Sequence, residues 1–477
     1  MSNEAKQSKF WVMCGDCQGR GKRPVKIRKK TRLAYQQALA AFERGELGID
    51  APEPPQPHLE SCPVCAGSGL VESLTPMAMD PERLPHVAII GAGIGGMALA
   101  VACRHRGIPF TLYERDLSFD ARSQGYGLTL QQASRAISGI GITELKDGVI
   151  STRHVVHTIA GEKVAEWGMR RWVKGAPQAN KKSNIHIARQ SLRYQMMEQL
   201  GGASEVQWGH QLVSFDQTSS DKVQLTLSVD GELKHAQADL IVGADGIRSM
   251  VRQNIIGEQL TPLRSLNCMV ILGICPLSLL GDLESDLLDG ATVFQTANGN
   301  ERIYMMPYKA DSVMWQLSFR MDDAEARALS ALGAQALKDE AVRRLPWHAP
   351  IPEILAATPS ELVSGYPVYD RELLTPEQFA QSPKATLIGD GAHPMTPFKG
   401  QGANQAILDA LSLAREISQG CWSAEAWQSI GIRAAVLSPY EQEMLARSSV
   451  KVEGSAAAAE FLHSDVVLEP VDQPRRA

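Results

Sequence analysis

The tightest constraint on this 477-residue chain is a run of glycines that follows a short apolar segment. His86–Ile90 reads as a buried strand, and Gly91-Ala-Gly93-Ile-Gly-Gly96 follows it directly. Ile94–Arg106 reads as a helix stopped by Gly107, and Phe110–Glu114 as the next strand, so the segment assembles as a β-α-β unit. Each glycine in this spacing has a physical task. Gly91 permits the tight turn, Gly93 lets a pyrophosphate approach the backbone, and Gly96 lets helix and strand pack closely. The helix N-terminus faces the pyrophosphate charge. Glu114 stands 18 residues beyond Gly96, at the end of the second strand, where it can accept hydrogen bonds from adenosine ribose hydroxyls. A bound dinucleotide is the expectation.

The rest of the chain is ordinary in composition, with 44% hydrophobic and 21% charged residues. A formal net charge of −5 argues against nucleic acid as a partner for the whole molecule. Two apolar stretches are suspicious. Val87–Cys103 is interrupted by four glycines and Cys268–Leu280 is broken by Pro276. Neither approaches the roughly 20 apolar residues of a membrane span, so no membrane association is expected. The polar start, MSNEAKQSKF, shows no secretory signal, and eight cysteines in so long a chain do not suggest a disulfide framework. A reducing, cytoplasmic location is expected. Val223–Val229 alternates apolar and polar residues and runs into Asp230-Gly231, a hairpin turn that wants positive φ at both positions. Ile303–Tyr308 and Val313–Phe319 read as further strands, Lys384–Gly389 as a buried strand, and Ala403–Ser418 as a helix ending at Gly420.

Residues 1–80 differ from the remainder. Cys14-Gly-Asp-Cys17-Gln-Gly-Arg-Gly21 and Cys62-Pro-Val-Cys65-Ala-Gly-Ser-Gly69 repeat one pattern, CxxCxGxG. Two residues between thiolates let one turn aim both sulfurs at one ion, and the glycines let backbone amides turn toward the sulfurs. Four thiolates satisfy tetrahedral Zn²⁺ with no open position. Each pattern resembles the zinc-binding repeats of the DnaJ-type chaperones, but no His-Pro-Asp triplet accompanies them, so co-chaperone activity is not implied. Eight Lys/Arg lie between Arg20 and Arg32, and Thr31–Arg44 reads as a helix ahead of a proline-rich segment. A structural zinc clip is the plain reading. Use of the basic run to bind nucleic acid or an acidic partner, a protein partner among them, or a redox switch, stays open.

Two later segments select flavin among the dinucleotides. They are Leu240–Arg252, LIVGADGIRSMVR, and Leu387–Asp409, LIGDGAHPMTPFKGQGANQAILD. With the glycine motif, they resemble the three fingerprints of the single-component FAD-dependent aromatic hydroxylases, the p-hydroxybenzoate hydroxylase-like flavoprotein monooxygenases, over roughly residues 84–450. The resemblance implies an α/β (α+β) fold, in which a Rossmann-like FAD domain is interleaved with a substrate-binding β-sheet and followed by C-terminal helices. It assigns Asp390 to the ribityl chain, and Asp245 to the pyrophosphate side with a link to NAD(P)H. Arg189 and Arg122 fall near the flavin, and Pro397, Gly400, Gly402, Ala403 and Asn404 against the isoalloxazine. Arg115, beside Glu114, joins the cofactor-binding set. Independently, a helix starting near Ala403 offers free N–H groups to a reduced flavin anion.

The implied division is 1–80 for the zinc module, 81–258 for the FAD-binding domain with part of the substrate sheet, 259–366 for the substrate sheet, and 367–477 for the GD motif and C-terminal helices. The implied reaction uses NAD(P)H as a visiting co-substrate and O₂, through a flavin C4a-hydroperoxide, to oxidise a small electron-rich aromatic. Trp315, Phe294 and Tyr308 are candidates to line its pocket, or else plain core. His393 is expected to be structural, and no catalytic base stands out. A reductase, an antibiotic-inactivating oxygenase, a halogenase (though its W-x-W-x-I-P motif is missing) or a non-catalytic flavin or zinc protein are the alternatives.

Overall fold

Four consecutive apolar residues, Val87–Ile90, form a strand buried on both faces, as expected where helices cover a parallel sheet. In the computed structural model this strand is the centre of a five-stranded parallel sheet. Its order is Val206–Trp208, Phe110–Glu114, Val87–Ile90, Leu240–Gly243 and Ala385–Leu387. The structure describes residues 10–45, 51–55, 58–121, 126–168, 184–218, 221–422 and 424–469. Arg122, one of the expected flavin neighbours, lies outside the described residues.

Two compact units divide the chain, Met1–Ala78 and Met79–Ala477. In the smaller unit Phe10–Met13 pairs antiparallel with Leu70–Ser73, and Lys22–Pro24 with Leu59–Ser61. The helix of this unit, Lys29–Glu43, buries none of its residues.

In the larger unit Ile94–Arg104 forms the helix after the glycine loop, ending before Gly107 at φ +70°. The helix Gly402–Gly420 packs against it. A meander of His210–Asp216, Val223–Val229 and Glu232–Ala238 turns at Asp230 and Gly231, whose φ values of +52° and +82° fit the hairpin signal in the sequence.

The second large sheet has seven strands. They are, in order, Lys163–Trp167, Arg153–His157, Thr292–Ala297, Glu301–Lys309, Ser312–Arg320, Arg264–Pro276 and Val363–Asp370. All neighbours are antiparallel except Thr292–Ala297 with Arg153–His157. Both faces of this sheet are covered, because period-2 alternation sends apolar residues to each. Ile271, Ile303, Trp315 and Leu317 enter one core, against the helices Asp323–Ala331, Ala334–Arg344 and Ile351–Ala357. Val270, Leu272, Met306 and Met314 enter another on the opposite face.

Candidate active site

The glycine loop separates into two kinds of position. A Cβ on Gly96 would lie 1.8 Å from the Gly91 carbonyl oxygen, and one on Gly91 would lie 2.6 Å from the Ala244 carbonyl oxygen. Gly91 also has φ +102°. These two glycines are required by backbone packing. Gly93 meets nothing closer than Arg189 Nη2 at 3.8 Å and lines a cavity of about 470 Å³. Glu114 accepts from the Ala92 N–H at 2.7 Å and the Asp116 N–H at 3.1 Å, so its carboxylate sits at the edge of the loop. Arg115 beside it is exposed.

The DG segment contributes backbone more than charge. Ala244, Gly246 and Ile247 line the cavity. The Asp245 carboxylate instead accepts from Ser249 Oγ and from the Met250 N–H (2.7 Å), at the start of the short helix Met250–Ile255. Burial raises its pKa. Arg252, overlooked in the sequence, donates to the Gly391 and Ala392 carbonyls at 3.0 and 2.9 Å and to Thr261 Oγ1. It ties the DG segment to the GD segment.

In the GD segment Asp390 lines the cavity, its carboxylate open to that space but ringed by protein. Desolvation raises its pKa, opposed by the nearby Arg189 and His393. Arg189 opens the helix Arg189–Leu200 and also lines the cavity. Its Nη1 donates to Tyr126 Oη, its guanidinium lies 5.0 Å from the Tyr126 ring centre, and its buried Nε has no partner among the described residues. Asp409 organises the turn below. It accepts from the Gly389 N–H and from His393 Nε2, each at 2.7 Å, and pairs with Arg447 at 2.9 Å.

Pro397, Gly400, Gly402 and Ala403 complete this wall, Gly400 with φ +58°. No side chain caps the helix Gly402–Gly420. Asn404 does not reach the cavity. It is buried, accepting from the Gln131 N–H at 2.8 Å and donating to the Thr129 and Gly400 carbonyls, both at 2.8 Å. Asn404 is thus a clamp between the helix start and the strand Gly127–Leu130.

The opposite wall is the seven-stranded sheet, with Leu272, Arg302, Tyr304, Met306, Gln316 and Tyr366. None of the three aromatics considered from the sequence lines the cavity. Trp315 and Phe294 point to the far face, where Trp315 Nε1 donates to Thr358 Oγ1 at 2.9 Å. Tyr308 is on the near face, but packs where the Gly127 strand covers it. Strand parity decides this: Gln316 and Met314 turn inward, so Trp315 turns away. His186 is the one histidine among the described lining residues. It shares a hydrogen bond with Thr129 Oγ1 at 3.0 Å, and burial pushes its pKa down to about 4. It is neutral at pH 7.

In the smaller unit the Sγ atoms of Cys14, Cys17, Cys62 and Cys65 all lie within 4.8 Å of one another and are buried. The N–H groups of Gly21 and Gly69 donate to Cys17 and Cys65 sulfurs, each at 3.2 Å. A Cβ on Gly69 would lie 2.3 Å from the Gly19 carbonyl oxygen.

Fold and cavity together define a flavin-dependent oxidoreductase. A family model described as an FAD binding domain matches residues 85–425. Aurachin C monooxygenase/isomerase of Stigmatella aurantiaca is 30% identical over 384 residues, covering 77% of this chain and 87% of that protein. The 3-amino-4-hydroxybenzoate 2-monooxygenase of Streptomyces cremeus is 25% identical over 406 residues, covering 83% and 92%. HpxO of Klebsiella pneumoniae, solved with FAD and uric acid, shares the fold with a TM-score of 0.66 at 20% identity, over 80% of this chain and 90% of that one. The chain belongs to the family of FAD-dependent monooxygenases and carries its FAD-binding domain. Among the described residues no helix is long and apolar enough to cross a membrane.

Proposed function

We propose that this enzyme uses NAD(P)H and O₂ to insert one oxygen atom into an aromatic or heteroaromatic small molecule bound in the cavity. The observation that carries the reading is one cavity with two unlike walls. The glycine-loop, DG and GD segments form one wall, and an apolar and aromatic sheet face forms the other.

The residues of the first wall fit FAD. Gly93 leaves room for a pyrophosphate, Asp390 offers a carboxylate to the ribityl hydroxyls, and Arg189 keeps a buried Nε that has no partner among the described residues. Glu114 serves the ribose, and Gly400, Gly402 and Ala403 present the start of a helix to the flavin ring. A helix N-terminus favours negative charge there by about 0.3–2 kcal/mol. Asp245, Asn404 and Arg252 shape the loops that carry these groups. When bound, FAD supplies hydride acceptance from NAD(P)H and activation of O₂. The sheet wall orients the substrate, and its packed side chains exclude water. A relative named for a substituted benzoate supports an aromatic substrate. In the smaller unit the four cysteines fit Zn²⁺ as a structural ion, since a closed set of four thiolates leaves no open position.

The test is NAD(P)H oxidation screened over phenols, anilines, indoles and quinolones under isotopically labelled O₂. The expected result is a compound that accelerates NAD(P)H consumption and gains one labelled oxygen. Consumption indifferent to every compound, with no oxygen incorporated, overturns the proposal.

A further inference from the structure

One loop of the cavity is held by a segment that lies outside all three motifs. Residues 394–400 line the cavity. Pro394 and Pro397 have no N–H to give, and the Gly400 N–H turns back to the Pro397 carbonyl at 3.1 Å. The long C-terminal helix Ser438–Phe461 packs against this loop and anchors it. Thr396 Oγ1 donates to the Ser455 carbonyl at 2.8 Å, and Ser455 Oγ donates to the Thr396 carbonyl at 2.9 Å. Both residues are buried. Phe398, two residues on, meets the ring of His463 edge-on, with centres 5.3 Å apart and planes at 68°.

His463 follows the helix and is buried. Its Nδ1 lies 2.7 Å from the Ala459 carbonyl, which can only accept, so Nδ1 carries the proton and Nε2 is left as an acceptor. Ser318 Oγ, 2.9 Å away, donates to that Nε2. Burial lowers the His463 pKa, so the ring stays neutral and the pattern holds at neutral pH. Ser318 stands on the seven-stranded sheet directly opposite Arg302, which lines the cavity. The residues around His463 are seated on the same sheet. Arg320 Nε donates to the His463 carbonyl at 3.4 Å, and a Cβ on Gly299 would lie 2.5 Å from Asp465 Oδ1. One imidazole therefore braces both walls of the cavity from behind, the loop through Phe398 and the sheet through Ser318.

We infer that Ser455 and His463 are positioning residues, which fix the loop 394–400 relative to the sheet and so set where a flavin ring lies with respect to the substrate. This rests on the reading of the cavity as the FAD and substrate chamber. Such support matters because a misplacement of about 1 Å between reacting groups can cost about 100-fold in rate.

Hydrogen exchange and flavin spectroscopy on the full chain test it. In the FAD-free protein, H463A and the double variant T396V/S455A should each speed amide exchange at residues 395–400 about tenfold or more. That is the scale of a lost buried hydrogen bond. Exchange in the glycine loop 91–96 should not change. With FAD added, both variants should shift the visible flavin bands and weaken FAD about three- to tenfold. T396S, which keeps the hydroxyl, should restore natural exchange and the natural spectrum. The inference falls if exchange at 395–400 is natural in both variants, or if it rises evenly throughout the larger unit. It falls equally if the loop loosens while flavin spectrum and FAD affinity stay natural. A natural chain that binds no FAD would instead overturn the parent reading, and this inference with it.

Discussion

Between Phe10 and Ser73 the buried side chains of the described structure are four cysteines and Leu70, with Val71 partly buried beside them. Between Leu84 and Met444 more than fifty apolar side chains form one continuous core, and the seven-stranded sheet adds two more. The first region has too little apolar surface to offset the entropy of ordering its loops, so its fold is expected to depend on the proposed zinc. The second spreads its stability over many contacts, and losses there should be graded rather than complete.

The largest expected effect breaks the smaller region alone. Structural zinc contributes about 10–16 kcal/mol to small metal-folded domains. Chelation, or Cys14→Ser with Cys62→Ser, should release one zinc per chain and collapse the amide NMR dispersion of residues 10–73. The flavin absorbance of the same sample should stay unchanged, as it should after removal of residues 1–80. Retained dispersion without metal would mean that the cysteines pack as ordinary core.

A smaller effect comes from Asp409→Ala, which strips Arg447 and His393 of a shared buried carboxylate. Breaking a buried pair costs about 3–5 kcal/mol. The larger unit should therefore melt markedly earlier, yet still cooperatively, in a calorimeter. A melting temperature within error of the natural protein would remove Asp409 from the account.

Next in size are the groups proposed to hold FAD. Asp390→Ala and Glu114→Ala should each weaken FAD about 10- to 100-fold, the range for hydrogen bonds to a charged group. Gly96→Ala and Gly93→Ala sharpen the distinction within the loop. The first forces a Cβ into the Gly91 carbonyl and should destabilise the fold by about 1–3 kcal/mol. The second should leave unfolding unchanged and reduce FAD binding. Equal melting temperatures for the two variants would contradict this division of labour.

The smallest effect is a pH dependence. Burial opposes the charged form of His393, but the Asp409 charge and hydrogen bond outweigh it and raise the pKa. Its contribution to stability is present in full below the unfolded imidazole value of about 6.5 and is lost as pH rises through the raised folded value. Asp409 is depressed, chiefly by His393 against its own burial, so its contribution is lost only as pH falls through that depressed value. The melting temperature should decline above neutral pH, and His393→Asn should flatten that decline. An unchanged slope would show that His393 stays neutral.

Much of the fold is written in local patterns. The strand and helix on either side of Gly91, the Asp230-Gly231 turn and the helix from Gly402 follow from spacing and backbone freedom at single positions. The strands Arg153–His157 and Val363–Asp370 are less legible, since nothing local says that they join a sheet built largely from residues 264–320. The site shows the same divide. Gly93, Asp390, Pro397, Gly400, Gly402 and Ala403 fall on the cavity, whereas Asp245 spends its hydrogen bonds on Ser249 and nearby backbone, and Asn404 on backbone. A motif fixes where such a residue sits along the chain, but the neighbouring N–H groups decide which way its oxygens turn.

By itself the sequence determined the dinucleotide loop, the flavin-type motif set and the pairing of cysteines in two CxxC turns, because each is encoded within a few residues by glycine freedom, charge and spacing. Only the tertiary structure decided which face of the seven-stranded sheet meets the cavity. A strand presents alternate residues to opposite sides, so exchanging its faces replaces Gln316 with Trp315 without altering any local preference. That choice belongs to the packing of the whole sheet, and it is what turns Arg302, Tyr304 and Gln316 toward the chamber.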